Sequence, residues 1–128
     1  VGEISFTKGR AYPGIKIAYS PPVWSDYSTL ALELYSEHTS SVPLVLRIHD
    51  QMHQNDYHDR FNLHLSIEPG LNVVTIALSD VKHSLAAREM EMDKIAGLSL
   101  FMIKPEQDIQ LYIDNVRLRQ SVFLRKGA

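Results

Sequence analysis

The chain has 128 residues, 45% of them hydrophobic, enough for one globular domain with one core. Its formal net charge is −2 and Lys and Arg are scattered, so there is no basic stripe to follow phosphates and nucleic acid is not an expected partner. Cysteine is absent, which excludes disulfides and thiol chemistry, and no apolar run approaches the ~20 residues of a membrane span.

The first residues, VGEISFTKGR, lack the apolar centre of a signal peptide, and the chain opens on Val1 rather than Met. A domain cut from a longer protein is the expectation. Weak strand signals cover 3–7 and 14–19. From 29 to 35 the alternation is strict, with Leu30, Leu32 and Leu34 on one face and Ala31, Glu33 and Tyr35 on the other. Residues 43–49 set Leu44, Leu46 and Ile48 against Val45, Arg47 and His49. Residues 61–68 set Phe61, Leu63, Leu65 and Ile67 against Asn62, His64, Ser66 and Glu68. Further strands are predicted over 72–78, 95–103 and 109–118. In the last of these, Leu111 and Ile113 share one parity and Val116 and Leu118 the other. One extra residue reconciles them, which predicts a β-bulge near Asp114-Asn115. Only 84–93 (SLAAREMEMD) has helix-forming composition, and a short helix or helical turn is expected there.

Prolines fall between the runs, at Pro13, Pro21, Pro22, Pro43, Pro69 and Pro105, where a missing N–H does no harm. About eight short strands with one helical insert predict an all-β fold: an antiparallel β-sandwich of jelly-roll type with one short helix. The expected core holds Leu30, Leu32, Leu34, Leu44, Leu46, Ile48, Leu63, Leu65, Ile76, Leu100, Leu111 and Ile113. The sandwich is expected over 1–119, with 120–128 a C-terminal tail.

The most unusual segment is 49–62, HDQMHQNDYHDRFN, between two strand-like runs. A hairpin needs only about two to five connecting residues, so this connection is longer and more polar than a turn demands. Three chemistries are open. A metal could use His49, Asp50, His53, His58 and Asp59, but the His49/His53 spacing is informative only on a helix, and Cys is missing. Paired carboxylates, Asp50 with Asp59 or Glu33 with Asp50, would serve hydrolysis only at separations that a sequence does not fix. There is no GxSxG, HExxH or glycine-rich phosphate loop, so neither enzyme nor cofactor is expected.

Polar ligand recognition is the third. Sugars are held by directional charged and amide groups together with aromatic ring faces. Here Asp50, Asp59, Arg60, Asn62, Arg47, His49 and His53 supply the first, and Tyr57, Tyr35 and Tyr112 the second. A structural alternative stands beside it: Arg60 between Asp50 and Asp59 would be an ion network that latches the loop. Trp24, the lone tryptophan, is expected to plug one end of the sandwich rather than serve as a ligand platform.

Six segments carry a likeness: YPGIKI (12–17), VWSDYSTLALELYS (23–36), PLVLRIHDQMHQNDYHDRFN (43–62), IEPGLNVVTIALSDV (67–81), MDKIAGLSLFM (92–102) and LYIDNVRL (111–118). Together they resemble the carbohydrate-binding-module-like, galactose-binding-domain-like jelly roll attached to some bacterial VanZ-like membrane proteins. The pattern most specific to it runs through Arg47, Ile48, His49, Asp50, His53, Tyr57, Asp59, Arg60, Phe61 and Asn62. The resemblance implies a jelly roll that binds a carbohydrate, such as a cell-envelope polysaccharide, without catalysis. It also implies a membrane-anchored parent and a periplasmic or cell-envelope location. Related modules often begin with a further strand that contributes to a calcium site; that strand has no counterpart after Val1, so no calcium site is carried over.

Overall fold

A computed structural model describes residues 2–17, 23–53 and 56–120. Eight strands form two four-stranded antiparallel sheets. They are β1 Gly2–Phe6, β2 Gly14–Ile17, β3 Thr29–Ser36, β4 Val42–Asp50, β5 Phe61–Ile67, β6 Gly70–Ala77, β7 Ile95–Phe101 and β8 Ile109–Arg119. One sheet has the order β1-β8-β3-β6, the other β2-β7-β4-β5. This is the expected jelly-roll sandwich. Alternation places Leu30, Leu32 and Leu34 from one sheet against Leu44, Leu46 and Ile48 from the other, and all six are buried.

The bulge lies where the parity slips. From Ala31 to Glu33, β3 advances two residues while β8 covers the three from Asp114 to Arg117. Asn115 takes a left-handed φ of 56°, which asparagine tolerates, and beyond it Val116 and Leu118 pack against the core. Two expectations need correction. The α-helix, α1, is Leu78–Lys82 rather than 84–93, and it buries Leu78 and Val81 one turn apart. The 84–93 segment makes long-range backbone bonds instead: the N–H of Ala86 donates to His58 O, that of Met90 to Lys82 O, and Trp24 N–H to Met92 O. Helix propensity is a weak preference, and here burial of Leu85, Met90 and Met92 overrides it. Leu63 and Leu65 are only half-buried, because β5 is an edge strand and a cleft separates it from β6 of the facing sheet.

The predicted extension of the second strand to 19 and the tail beyond 120 lie outside the described residues.

Gly14 opens β2 where the backbone meets β7 very closely. A Cβ there would sit 2.7 Å from Phe101 Cα and collide with the Leu100 carbonyl. Gly14→Ala is therefore expected to lower stability by about 1–3 kcal/mol, read from urea melts of both proteins. A variant as stable as wild type would mean that β2 does not pack this closely.

Candidate functional site

β4 and β5 are joined by the long loop of the 49–62 segment, in the antiparallel register Ile48↔Phe61. Within the loop, Asp56 caps a single 3₁₀ turn, Tyr57–Asp59, by accepting the His58 N–H (2.9 Å). Asn62 fastens that turn to β5. Its amide nitrogen donates to Tyr57 O (3.1 Å) and its Oδ1 accepts from Arg60 Nε (3.1 Å). The Arg60 guanidinium lies 5.3 Å from the centre of the Tyr57 ring, a cation–π distance. His53 Nδ1 is 2.8 Å from Asp59 O.

A latch exists, but its arginine is Arg88, not Arg60. Arg88 donates from Nη1 and Nη2 to the two oxygens of Asp50 (2.7 and 2.8 Å) and from Nε and Nη2 to those of Asp59 (3.0 and 3.1 Å). The Asp50 side chain is 1% exposed, because it continues the inward parity of Leu44, Leu46 and Ile48 along β4. Asp50 also accepts the backbone N–H groups of Glu91 (2.8 Å) and Met52 (3.2 Å). Burial works to raise its pKa, but these hydrogen bonds and the adjacent guanidinium outweigh burial and hold it below the usual aspartate value. Both carboxylates are thus engaged within the protein.

The remaining predicted residues divide between two surfaces. Arg47, His49 and Asn62 point to the outer face of the β2-β7-β4-β5 sheet, where Arg47 stands opposite both Asn62 and Ser99, and Ser99 opposite Lys16. Tyr35 does not join them. With Tyr112 (ring centres 6.3 Å apart) and Glu33, it lies on the outer face of the other sheet, across the core. His49 lies over Gly97, where any Cβ would strike the imidazole, and its ring centre is 5.2 Å from that of His53. Burial, then Arg47, His53 and Lys16, lower the His49 pKa, so its imidazole is neutral at pH 7. Among the described residues no three His, Asp or Glu side chains converge as metal ligands.

Beside this row is a groove of about 430 Å³, lined among others by Tyr12, Gly14, Arg47, Arg60, Ser99 and Phe101. Tyr12 and Phe101 meet edge to face at 6.1 Å. Backbone bonds from Met102 N–H to Pro13 O and from Lys104 N–H to Ala11 O hold the Tyr12 segment against the end of β7. Sequence patterning passed over Tyr12 and Phe101, since only the β2–β7 register brings them together.

No protein-family model matches the chain, and no curated protein is similar to it. Solved structures share its architecture. A family 11 carbohydrate-binding module from Clostridium thermocellum, solved with a beta-1,3-1,4-mixed-linked tetrasaccharide, superposes with a TM-score of 0.67 and 14% identity, over 93% of this chain and 75% of the module. The family 11 module of a cellulosomal cellulase from the same organism gives 0.65 and 12%, over 93% and 74%. An agarase gives 0.70 and 19%, over 93% of this chain but only 22% of its own, so the chain spans about a fifth of that enzyme. The shared feature is the fold. At these identities the jelly-roll sandwich is what the likeness carries, and the binding residues must be argued from this chain alone.

Proposed function

We propose that the protein binds a glycan, without catalysis, in the groove on the outer face of the β2-β7-β4-β5 sheet. The observation that carries this reading is the juxtaposition of Tyr12 and Phe101 ring surfaces with Arg47, Arg60 and Ser99 around one open groove. Ring faces cover the apolar C–H side of a sugar, and fixed polar groups orient its oxygens. His49, Asn62 and Tyr57 border it as neighbours of those groups. The absence of catalysis is part of the proposal, because the groove lining contains no carboxylate and Asp50 and Asp59 are held by Arg88. The carbohydrate-binding modules of the same fold lend support, as does the resemblance to the soluble domain of VanZ-like membrane proteins. By that resemblance the chain is a module of a larger bacterial protein, exposed in the periplasm or cell envelope.

A glycan array followed by calorimetric titration tests this. Tyr12→Ala and Phe101→Ala should each weaken binding by roughly tenfold or more, about 1.4 kcal/mol. Tyr35→Ala, on the opposite face, should leave it within error. Binding that follows Tyr35 instead would move the site to the other sheet.

The Arg88 latch favours one alternative, a structural or interaction module whose 49–62 motif only fixes the loop. A wild-type protein that binds no glycan across a broad panel would leave that reading standing.

A further inference from the structure

We infer that the groove selects an anionic glycan, one bearing uronate or sulfate groups, through Arg47 and Arg60. This rests on the glycan-binding reading and gives it a ligand class. The first observation is an imbalance of charge. Both arginines line the groove, and among the described residues neither has a carboxylate within ion-pair distance. Lys16 lies in the same cross-strand row as Ser99 and Arg47, adding a third cation to that face. The loop's own acids do not compensate: a different arginine, from the 84–93 segment, takes both Asp50 and Asp59, and Asp56 caps the 3₁₀ turn through the His58 N–H.

The second observation is desolvation. Arg47 Nε is buried and, among the described residues, has no hydrogen-bond partner. Burial and the charge of Arg60 both lower the Arg47 pKa, the sign of a cation set in a poor environment beside a like charge. Such an arrangement is costly in the free protein, and an anion held by the terminal nitrogens of the two guanidinium groups offsets their mutual repulsion. Uronate carboxylates and sulfate esters present the planar or three-fold oxygen sets to which guanidinium groups donate paired bonds. A neutral sugar meets the Tyr12 and Phe101 rings equally well but leaves the charge of the pair uncompensated. A nucleic acid is a less suitable occupant, because the other Lys and Arg residues are scattered along the chain rather than gathered into a phosphate track.

The test is affinity electrophoresis and calorimetry at low salt with polygalacturonate and alginate (uronates), iota-carrageenan (sulfated galactan), mixed-linkage β-glucan and laminarin (neutral), and poly(U). At least one acidic polymer should bind about tenfold or more tighter than either neutral one. Its affinity should fall severalfold between 50 and 500 mM NaCl, roughly as expected for screened charges. The uronate and sulfate arms tell which acid group is read. Arg47→Gln and Arg60→Gln, each verified as folded by its melting curve, should erase the preference for acid, whereas Tyr12→Ala should weaken acidic and neutral glycans alike. Neutral β-glucan binding as tightly as the acidic polymers, with no salt dependence, overturns the anionic selection and leaves glycan binding intact. Poly(U) binding above every glycan overturns it in favour of nucleic acid. Binding of no probe at all removes both this inference and the function on which it rests.

Discussion

Arg88→Ala is expected to cost roughly 3–5 kcal/mol of stability at pH 7, because it leaves the Asp50 carboxylate buried without its guanidinium. The bidentate bond to Asp50 and the further pair to Asp59 join the 84–93 segment to the end of β4 and to the 49–62 loop at once. Among the described residues, other bonds that join these pieces include Glu91 N–H to Asp50, His53 N–H to Asp50 O and Ala86 N–H to His58 O. Arg60→Ala should cost only up to about 1 kcal/mol, since Arg60 is half-exposed and bonded to an amide rather than a buried acid. The pH dependence has a definite sign. Asp50 titrates below its ordinary value in the folded protein, so its contribution is present above the unfolded pKa, about 4, and is lost as pH falls through the folded pKa. In Arg88→Ala the burial penalty is no longer outweighed by the guanidinium. The stability gap between the two proteins should therefore be full near pH 7, begin to narrow as Asp50 takes up its proton in Arg88→Ala, and be smallest below about pH 4. Urea melts followed by circular dichroism at pH 7, 5 and 3.5 check it. Equal losses for Arg88→Ala and Arg60→Ala, or a gap that stays constant into acid, would refute the latch.

The contrast between these two arginines illustrates what a sequence can convey. Strands were legible because a half-buried sheet imposes period-two alternation on Leu30–Leu32–Leu34 and Leu44–Leu46–Ile48, and the bulge at Asn115 because it breaks that period. The latch was not, because Arg88 lies 38 residues from Asp50 in a segment whose composition suggests a helix. Arg60, next to Asp59 in sequence, was the nearer but wrong choice. The groove was hidden for a related reason. Tyr35 and Arg47 both alternate outward, but alternation separates inside from outside without saying which of two opposite outer faces a strand serves. Strand order decides that, and it sends Tyr35 to one side and Arg47 to the other. Tyr12 and Phe101 could be paired only through the β2–β7 register, which depends on the bare backbone of Gly14.

The second large effect is expected at Trp24. Its side chain is 1% exposed, and it lines a cleft of about 520 Å³ together with Tyr27, Leu78, Met90 and Met92. Its backbone is also engaged: Trp24 N–H donates to Met92 O (2.7 Å), and Tyr27 N–H donates to Trp24 O (3.1 Å). Nearby, Leu78 N–H donates to Ser28 O and Ser28 N–H to Arg119 O, so α1 and the ends of β6 and β8 meet the same short segment. The indole closes the end of the sandwich where these pieces converge, and it does not line the groove with Tyr12 and Arg47. Trp24→Ala should cost about 3–5 kcal/mol, the range for an aromatic removed from a core, and Trp24→Phe distinctly less. As the lone tryptophan, it reports on itself. Wild-type emission should be blue-shifted, move to the red in a single step on denaturation, and stay unchanged when a groove ligand is added. A folded Trp24→Phe should bind that ligand with wild-type affinity. If ligand quenches the emission, or if Trp24→Ala melts with the wild type, then the indole is a binding platform rather than a plug.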